Sequence, residues 1–133
     1  MANSSTKKPG DFKPWIAKAE ADFEAAKILA RSCKPGMPDL ACYHYQQCAE
    51  KYLKAYLTFH RIQFPKTHDL ENLLNLSLPA DPLINALQPN IAFLNPYSVT
   101  ARYPGEEVPV SESKKALKHI KSLRKFLRDR LSL

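Results

Sequence analysis

The sequence has few glycines, few cysteines and no long apolar run. Its 133 residues include 3 glycines and 11 prolines, and no stretch shows the alternation of apolar and polar residues that is typical of a half-buried β-strand. No apolar run approaches the roughly 18 residues that a membrane-spanning helix requires. These absences exclude a membrane protein and favour a chain of helices that end at prolines.

The three cysteines, Cys33, Cys42 and Cys48, are odd in number and form no C-x-x-C motif. This pattern predicts neither a disulfide framework nor a zinc site. Reduced cysteine packs like a small apolar residue, so we expect buried thiols. We expect no metal and no cofactor.

The N-terminus, "MANSSTKKPG", contains two lysines but no apolar segment after them. A secretory signal requires that apolar segment, so we predict a disordered tail over residues 1–10 and a cytoplasmic protein. The remaining residues, 11–133, are predicted to form a single domain that is large enough to bury a core without disulfides.

Apolar residues three and four positions apart predict amphipathic helices. In the first helix this spacing places Ala19, Phe23 and Ala26 on one buried stripe. The same spacing recurs downstream, so we predict an all-α fold, an antiparallel up-and-down bundle of four to five helices. The predicted helices cover residues 14–31, residues 40–61, a short segment after residue 67, residues 82–94 with an interruption, and residues 111–131.

Polar residues before these segments are predicted to cap the helices. Asp39, Thr67, Asp81 and Ser111 each carry a side-chain oxygen that can accept a hydrogen bond from a backbone N–H of a first turn. Pro89 lies inside a predicted helix, where proline removes one backbone hydrogen bond. We expect a kink there, or two shorter helices.

The positive charge is concentrated at the C-terminal end. From Ser111 to Leu133, eight lysines and arginines stand against two acidic residues, so this segment carries +6 of the formal net charge of +7. An outward basic ridge on the last helix could contact RNA phosphates. The alternative is a solvated charged face without a partner. The ridge contains Lys114, Lys118, Lys121, Lys125 and Arg128.

Polar residues of the second predicted helix are aligned on one face. His44, Gln47, Lys51 and Lys54 are spaced three, four and three residues apart. This spacing places them on a different face of the helix from the apolar inner residues. This stripe could receive a phosphate, a base edge or a partner protein. Alternatively, it is a solvent-exposed helix face without a ligand, on which Glu50 pairs with Lys54. The predicted inner face contains Cys42, Tyr45, Ala49, Tyr52, Leu53 and Tyr56.

Four stretches in this order resemble the HEPN domain family: "WIAKAEADFEAAKIL", "YHYQQCAEKYLKAYL", "FPKTHDL" and "NPYSVTARYPG". The resemblance covers about residues 14–130. It implies a compact helical bundle that commonly dimerises and has a role in nucleotide or RNA binding. It also implies a small nucleotidyltransferase partner in a two-protein system, sometimes of the toxin–antitoxin type.

Many members of that family are metal-independent ribonucleases with an R-x4-6-H motif. The one pair with this spacing here is Arg61 with His68, which lies outside the position where the family has its motif. Arg61 and His68 are therefore candidates for a displaced catalytic site, in which histidine acts as base and arginine stabilises the phosphorane charge. The main hypothesis is nevertheless a binding subunit that is non-catalytic or weakly catalytic. The alternatives are a ribonuclease with an unusual arrangement of Arg61, His68 and Arg102, and a structural dimer without a ligand.

Arg102 and Tyr103 form a second candidate ligand site. An arginine in a proline-bounded loop can bind phosphate through two hydrogen bonds, and a tyrosine can stack on a base. Alternatively, Arg102 pairs with Asp22 or Glu50, and Tyr103 plugs the bundle. We expect Arg102 and the polar stripe to open on one shared groove.

Overall fold

The computed structural model describes residues 8–32, 34–99 and 103–133. Within these ranges the fold is an all-α bundle without a β-strand, as predicted. Two short 3-10 helices, Pro82–Leu87 and Asn95–Ser98, flank the fourth α-helix. The α-helices are α1 (Lys13–Ala30), α2 (Met37–Phe59), α3 (Leu70–Ser77), α4 (Gln88–Leu94) and α5 (Val110–Arg130).

The longest helix, α2, lies at the centre of the bundle and packs against each of the other four α-helices. Its predicted inner face is confirmed, because all six residues of that face are at most 3% exposed. A central helix of this kind is apolar on several sides, and most of α2 from Ala41 onward is indeed buried.

Helices α1 and α5 supply the outer walls of the bundle. The predicted stripe of α1 is buried at Ala19, Phe23 and Ala26, and α5 buries Ile120 and Leu123 together with other apolar residues. Both helices pack closely on α2 but make few contacts with each other. A groove therefore remains between α1 and α5, above α2.

The prediction that Asp39 caps the second helix was wrong. The residue that precedes α2 is Gly36, whose φ of 83° lies in the left-handed region that glycine adopts without strain. Asp39 lies in the first turn of α2, where one carboxylate oxygen accepts a hydrogen bond from the backbone N–H of Val108 at 3.1 Å. This carboxylate therefore ties the start of α2 to the loop before α5.

Two more predicted caps were wrong by two residues each. Asp69, and not Thr67, caps α3, because its carboxylate accepts a hydrogen bond from the N–H of Glu71 at 3.0 Å. The Thr67 hydroxyl instead accepts a hydrogen bond from the N–H of Asp69. Pro109 precedes α5, so Ser111 lies inside that helix.

The predictions for Asp81 and Pro89 were confirmed. The Asp81 carboxylate accepts a hydrogen bond from the N–H of Leu83 at 3.1 Å and so caps the 3-10 helix Pro82–Leu87. Pro89 lies in the first turn of α4, where its missing N–H costs no helical hydrogen bond. The predicted helix is thus divided into two shorter ones.

Of the predicted tail, residues 1–7 lie outside the described part, and residues 8–10 lie against the C-terminal end of α2. The Gly10 N–H donates to the Phe59 carbonyl at 3.2 Å. A Cβ atom at Gly10 would lie 2.0 Å from the carbonyl oxygen of Thr58, so only glycine fits. The division into tail and domain stays a prediction. None of the described helices has the length and apolar character to cross a bilayer.

Candidate functional site

The polar stripe on α2 is less open than its spacing predicted. Gln47 and Lys54 are 8% and 7% exposed, and His44 and Lys51 expose 30% and 22% of their side chains. The stripe therefore lies in the contact zone between α2 and its neighbours, and carboxylates occupy the space around it.

Asp22 of α1 lies between two residues of the stripe. One of its carboxylate oxygens contacts the Nδ1 of His44 at 2.8 Å, and the other accepts a hydrogen bond from the Nζ of Lys51. The Asp22 side chain is only 12% exposed. This carboxylate therefore joins α1 to α2 and is the partner of both polar side chains, His44 and Lys51.

Glu50 has the corresponding role for the other half of the stripe. Its carboxylate accepts hydrogen bonds from the Nζ of Lys54 at 2.9 Å and from the Nε2 of Gln47 at 3.2 Å. The predicted pair of Glu50 with Lys54 is thus confirmed, and both side chains are less than 10% exposed. Lys54 also lies over the rings of Trp15 and Phe64, at 5.5 and 5.8 Å from their centroids.

These contacts change the interpretation of the stripe. A phosphate that approached Lys51 or Lys54 would have to compete with a carboxylate already in place, and it would be repelled by that carboxylate. The geometry therefore favours an internal network that holds α1, α2 and the segment before α3 together.

Arg61 and His68 hold different parts of the chain and make no contact with each other in the described residues. Arg61 has a φ of 57°, and its Nε donates to the Lys8 carbonyl at 2.7 Å. His68 exposes 71% of its side chain, and its Nδ1 contacts the Glu50 carboxylate at 2.9 Å. The structure therefore places these two candidates at separate positions.

Arg102 lies outside the described residues, and so do the predicted contacts of Arg102 with Asp22, Glu50 or a groove shared with the stripe. Tyr103 is described and is 78% exposed. The interpretation of Tyr103 as a plug for the bundle was therefore wrong, whereas its predicted role in ligand binding stays a prediction.

The basic ridge of α5 is exposed at four of its five positions. Lys114, Lys118, Lys121 and Lys125 face the solvent. Arg128 is the exception, because it turns inward and donates to the hydroxyl of Tyr52 at 3.2 Å. The segment with the largest excess of positive charge thus presents a row of lysines along one helix.

A groove of about 650 Å³ lies between α1 and α5 and was not predicted from the sequence. Its walls carry five basic residues and no acidic residue, with Phe23 and Leu117 as apolar patches and Tyr45 of α2 as part of the floor. The sequence shows only two separate basic pairs, four and seven residues apart on predicted helices, and nothing in it places the two pairs on one surface. The basic residues are Lys27 and Arg31 of the α1 end, and Lys114, Lys121 and Arg124 of α5.

Glu20 of α1 connects the groove to the core. It accepts a hydrogen bond from the Nε of Arg124 at 2.7 Å and another from the Tyr52 hydroxyl. The hydrogen bond from Arg124 lowers the pKa of Glu20 below its ordinary value of 4.5, although burial opposes this change. Arg124 also stacks on the ring of Phe23 at 4.3 Å.

Acid should destabilise the protein through Glu20 and Asp81. Although burial raises it, the pKa of Asp81 is lowered overall by hydrogen bonds from Tyr56 and Arg130. A carboxylate whose pKa is lower in the folded state contributes stability above its unfolded pKa, and this contribution is lost as the pH falls through its folded pKa. We expect the free energy of unfolding, measured with urea, to decrease as the pH is lowered from about 4.5.

The variant Glu20→Gln provides the control for this experiment. It should be less stable than the wild type near neutral pH, because it lacks the charged acceptor for Arg124, and it should lose less stability on acidification. Equal losses in the two proteins would contradict the role of Glu20.

The described cysteines, Cys42 and Cys48, are buried, as predicted. Burial raises the pKa of Cys48 well above its ordinary value, so this thiol is a poor nucleophile. Cys33 lies outside the described residues. Within the described ranges no group of three or more His, Cys, Asp or Glu side chains could hold a metal ion.

The family model described as HEPN domain matches residues 12–130 of the chain. The match covers all five α-helices and the segments that join them. Neither the comparison with curated proteins nor the comparison with solved structures finds a match.

Proposed function

The chain belongs to the HEPN domain family, and on this premise we propose that it is a non-catalytic binding module for RNA or nucleotides. The observation that carries the proposal is the lysine ridge of α5. Its four exposed lysines follow one face of a 21-residue helix, at intervals of roughly 4.5–6 Å along the axis. Such a row can contact successive phosphates of a strand and release their counterions.

The α2 stripe supports this role indirectly. Asp22 and Glu50 neutralise the lysines of the stripe, so the stripe stabilises the bundle that presents α5. The proposal therefore assigns phosphate binding to α5, and it assigns His44, Gln47, Lys51 and Lys54 a supporting role.

The salt dependence of RNA binding tests the ridge. We expect the double variant Lys118→Ala, Lys125→Ala to bind a short single-stranded RNA about tenfold more weakly than the wild type, because two phosphate contacts are lost. The slope of log K against log[salt] should become shallower by about 1.4, since each contact on a single strand contributes roughly 0.7. Fluorescence anisotropy at several salt concentrations measures both quantities.

A matched control removes the same charge elsewhere. Lys13 and Lys18 are exposed lysines of α1, and the variant Lys13→Ala, Lys18→Ala should keep the wild-type slope. If both double variants weaken binding equally, only net charge matters and the ridge has no specific role. If the wild type binds no RNA even at low salt, the interpretation as a structural dimer without a ligand is favoured.

The proposal includes a homodimer that acts as the partner subunit of a nucleotidyltransferase, in a toxin–antitoxin-like system in the cytoplasm. What supports it is the family to which the chain belongs. Light scattering during gel filtration should give twice the 15.1 kDa mass of the chain. A neighbouring nucleotidyltransferase gene, whose product co-purifies with this chain, would support the partner, and a product that elutes separately would contradict it.

A second candidate function is metal-independent RNA cleavage, and one contact favours it. The buried carboxylate of Glu50 contacts the Nδ1 of His68 at 2.9 Å, while 71% of the His68 side chain is exposed. A carboxylate that orients an imidazole in this way is a common support for a general base. Arg102 is the candidate cation, since Arg61 donates to the Lys8 carbonyl and makes no contact with His68 in the described residues. Cleavage of RNA in the presence of EDTA that is lost in His68→Ala would establish this function, and no cleavage by the wild type would exclude it.

A further inference from the structure

The groove between α1 and α5 has the size of a small-molecule site. Its volume of about 650 Å³ lies within the roughly 300–1,000 Å³ that ligand pockets occupy. It exists because α1 and α5 both pack on α2 and make few contacts with each other. Its lining combines the buried Tyr45 of α2 with five long basic side chains.

The charges around the groove are unbalanced. Lys27 pairs with Glu24 at 3.1 Å, and Arg124 pairs with Glu20. Arg31, Lys114 and Lys121 make no ion pair within the described residues, and no acidic residue lines the groove. Three uncompensated positive charges that converge on one concave surface attract an anion more strongly than the same charges on a flat face.

Tyr45 provides an independent observation at the floor of the groove. Its side chain is 0% exposed, and its hydroxyl is buried without a hydrogen-bond partner in the described part of the chain. A buried hydroxyl without a partner destabilises a fold, and phenylalanine would avoid that cost. The positive charge of Arg31 also acts on this phenol. A hydroxyl donor next to unpaired cations is suited to an anionic oxygen.

We propose that this groove binds a phosphate group of a nucleotide, with the Tyr45 hydroxyl as a hydrogen-bond donor to a phosphate oxygen. Arg31, Lys114 and Lys121 balance the phosphate charge, and Leu117 offers an apolar surface to the rest of the ligand. This inference rests on the proposed function and deepens it, because it adds a concave site between α1 and α5 that shares Lys114 and Lys121 with the ridge. The phosphate can belong to a free nucleotide or to the end of an RNA strand.

The variant Tyr45→Phe tests the proposal with little risk to the fold, since it removes only an unpaired hydroxyl. We expect ADP or a 5′-phosphorylated RNA trinucleotide to bind about tenfold more weakly to this variant, measured by isothermal titration calorimetry. The free energy of unfolding should be unchanged or higher. A purely structural role of Tyr45 would not alter the binding of a ligand. Tyr43→Phe, at a half-buried tyrosine of the same helix, should leave binding unchanged.

The ligands distinguish the two sources of the phosphate. Binding of ADP that weakens in Tyr45→Phe identifies a nucleotide site. Binding of the 5′-phosphorylated trinucleotide, but neither ADP nor the 5′-hydroxyl trinucleotide, identifies an RNA end. In either case Arg31→Ala should weaken binding as well, and Lys118→Ala, Lys125→Ala should leave the binding of ADP unchanged.

The failures of the two proposals can be told apart. If Tyr45→Phe binds the effective ligand as tightly as the wild type, the groove proposal is overturned, whereas the ridge proposal depends only on the Lys118 and Lys125 variant. If the ridge variant keeps the wild-type salt slope but Tyr45→Phe loses affinity, the groove stands without the ridge. If the wild type binds neither ADP nor the 5′-phosphorylated trinucleotide at low salt, the groove proposal falls, and the ridge proposal falls with it only if the short single-stranded RNA does not bind either.

Discussion

Replacing Glu50 by glutamine is expected to lower the free energy of unfolding by about 3–5 kcal/mol, because it leaves a buried ammonium group without its counter-charge. The Lys54 side chain is 9% exposed and that of Glu50 is 4% exposed. Water cannot replace the lost carboxylate at such a position. Urea unfolding at neutral pH measures the loss, and the m-value should stay that of the wild type if the folded state is otherwise preserved.

A second substitution should recover part of this loss. Lys54→Met removes the unpaired charge but retains an unbranched side chain against the rings of Trp15 and Phe64. Replacing a buried ion pair by apolar residues of similar volume is often neutral or stabilising. The double variant Glu50→Gln, Lys54→Met should therefore be more stable than Glu50→Gln alone.

An exposed pair of the same spacing is the matched control. Lys125 and Asp129 are also four residues apart, at 3.3 Å, but their side chains are 79% and 63% exposed. Asp129→Asn should cost no more than about 0.5 kcal/mol, because solvent screens such pairs. If Glu50→Gln lowers the free energy of unfolding as little as Asp129→Asn does, the buried network does not hold the bundle together.

The buried faces of the helices could be predicted from the sequence because they depend on helical geometry alone. Residues such as Phe23 and Ala26, or Ile120 and Leu123, recur at the spacing that places them on one side of any α-helix. The residues at which the helices begin were harder to predict. At the start of α2 the chain uses a glycine, and Asp39 instead binds a backbone N–H 69 residues away. A local pattern contains no information about such a distant donor.

The contacts of the polar stripe on α2 were predicted less well, because they too involve residues that are distant in the sequence. Spacing correctly aligned Lys51 with the other polar residues of α2, but it could not show that Asp22, 29 residues earlier, would face this lysine. The groove could not be predicted from the sequence, because it forms between two helices, α1 and α5, that make few contacts with each other. Arg31 and Lys114 are far apart in the sequence, and only the packed bundle brings their charges to one surface.

The apolar centre of α2 leads to a second large effect. Leu53 is 0% exposed in the helix against which all the others pack, so Leu53→Ala removes apolar contacts and leaves a cavity that the surrounding helices cannot fill. Substitutions of this kind cost about 3–5 kcal/mol. For a chain of this size the melting temperature should fall by roughly 10–20 °C, which calorimetry or circular dichroism would show.

The chain contains a control with the same chemistry in a different place. Leu83, in the 3-10 helix Pro82–Leu87, is 70% exposed, and Leu83→Ala should change stability by no more than about 0.5 kcal/mol in the isolated chain. The contrast tests the placement of α2 directly, since the two substitutions remove the same atoms. Equal losses at the two positions would mean that α2 is not the buried centre of the bundle. A loss at Leu83 that grows with protein concentration would instead place this leucine in an interface between two copies, because association stabilises a chain by mass action.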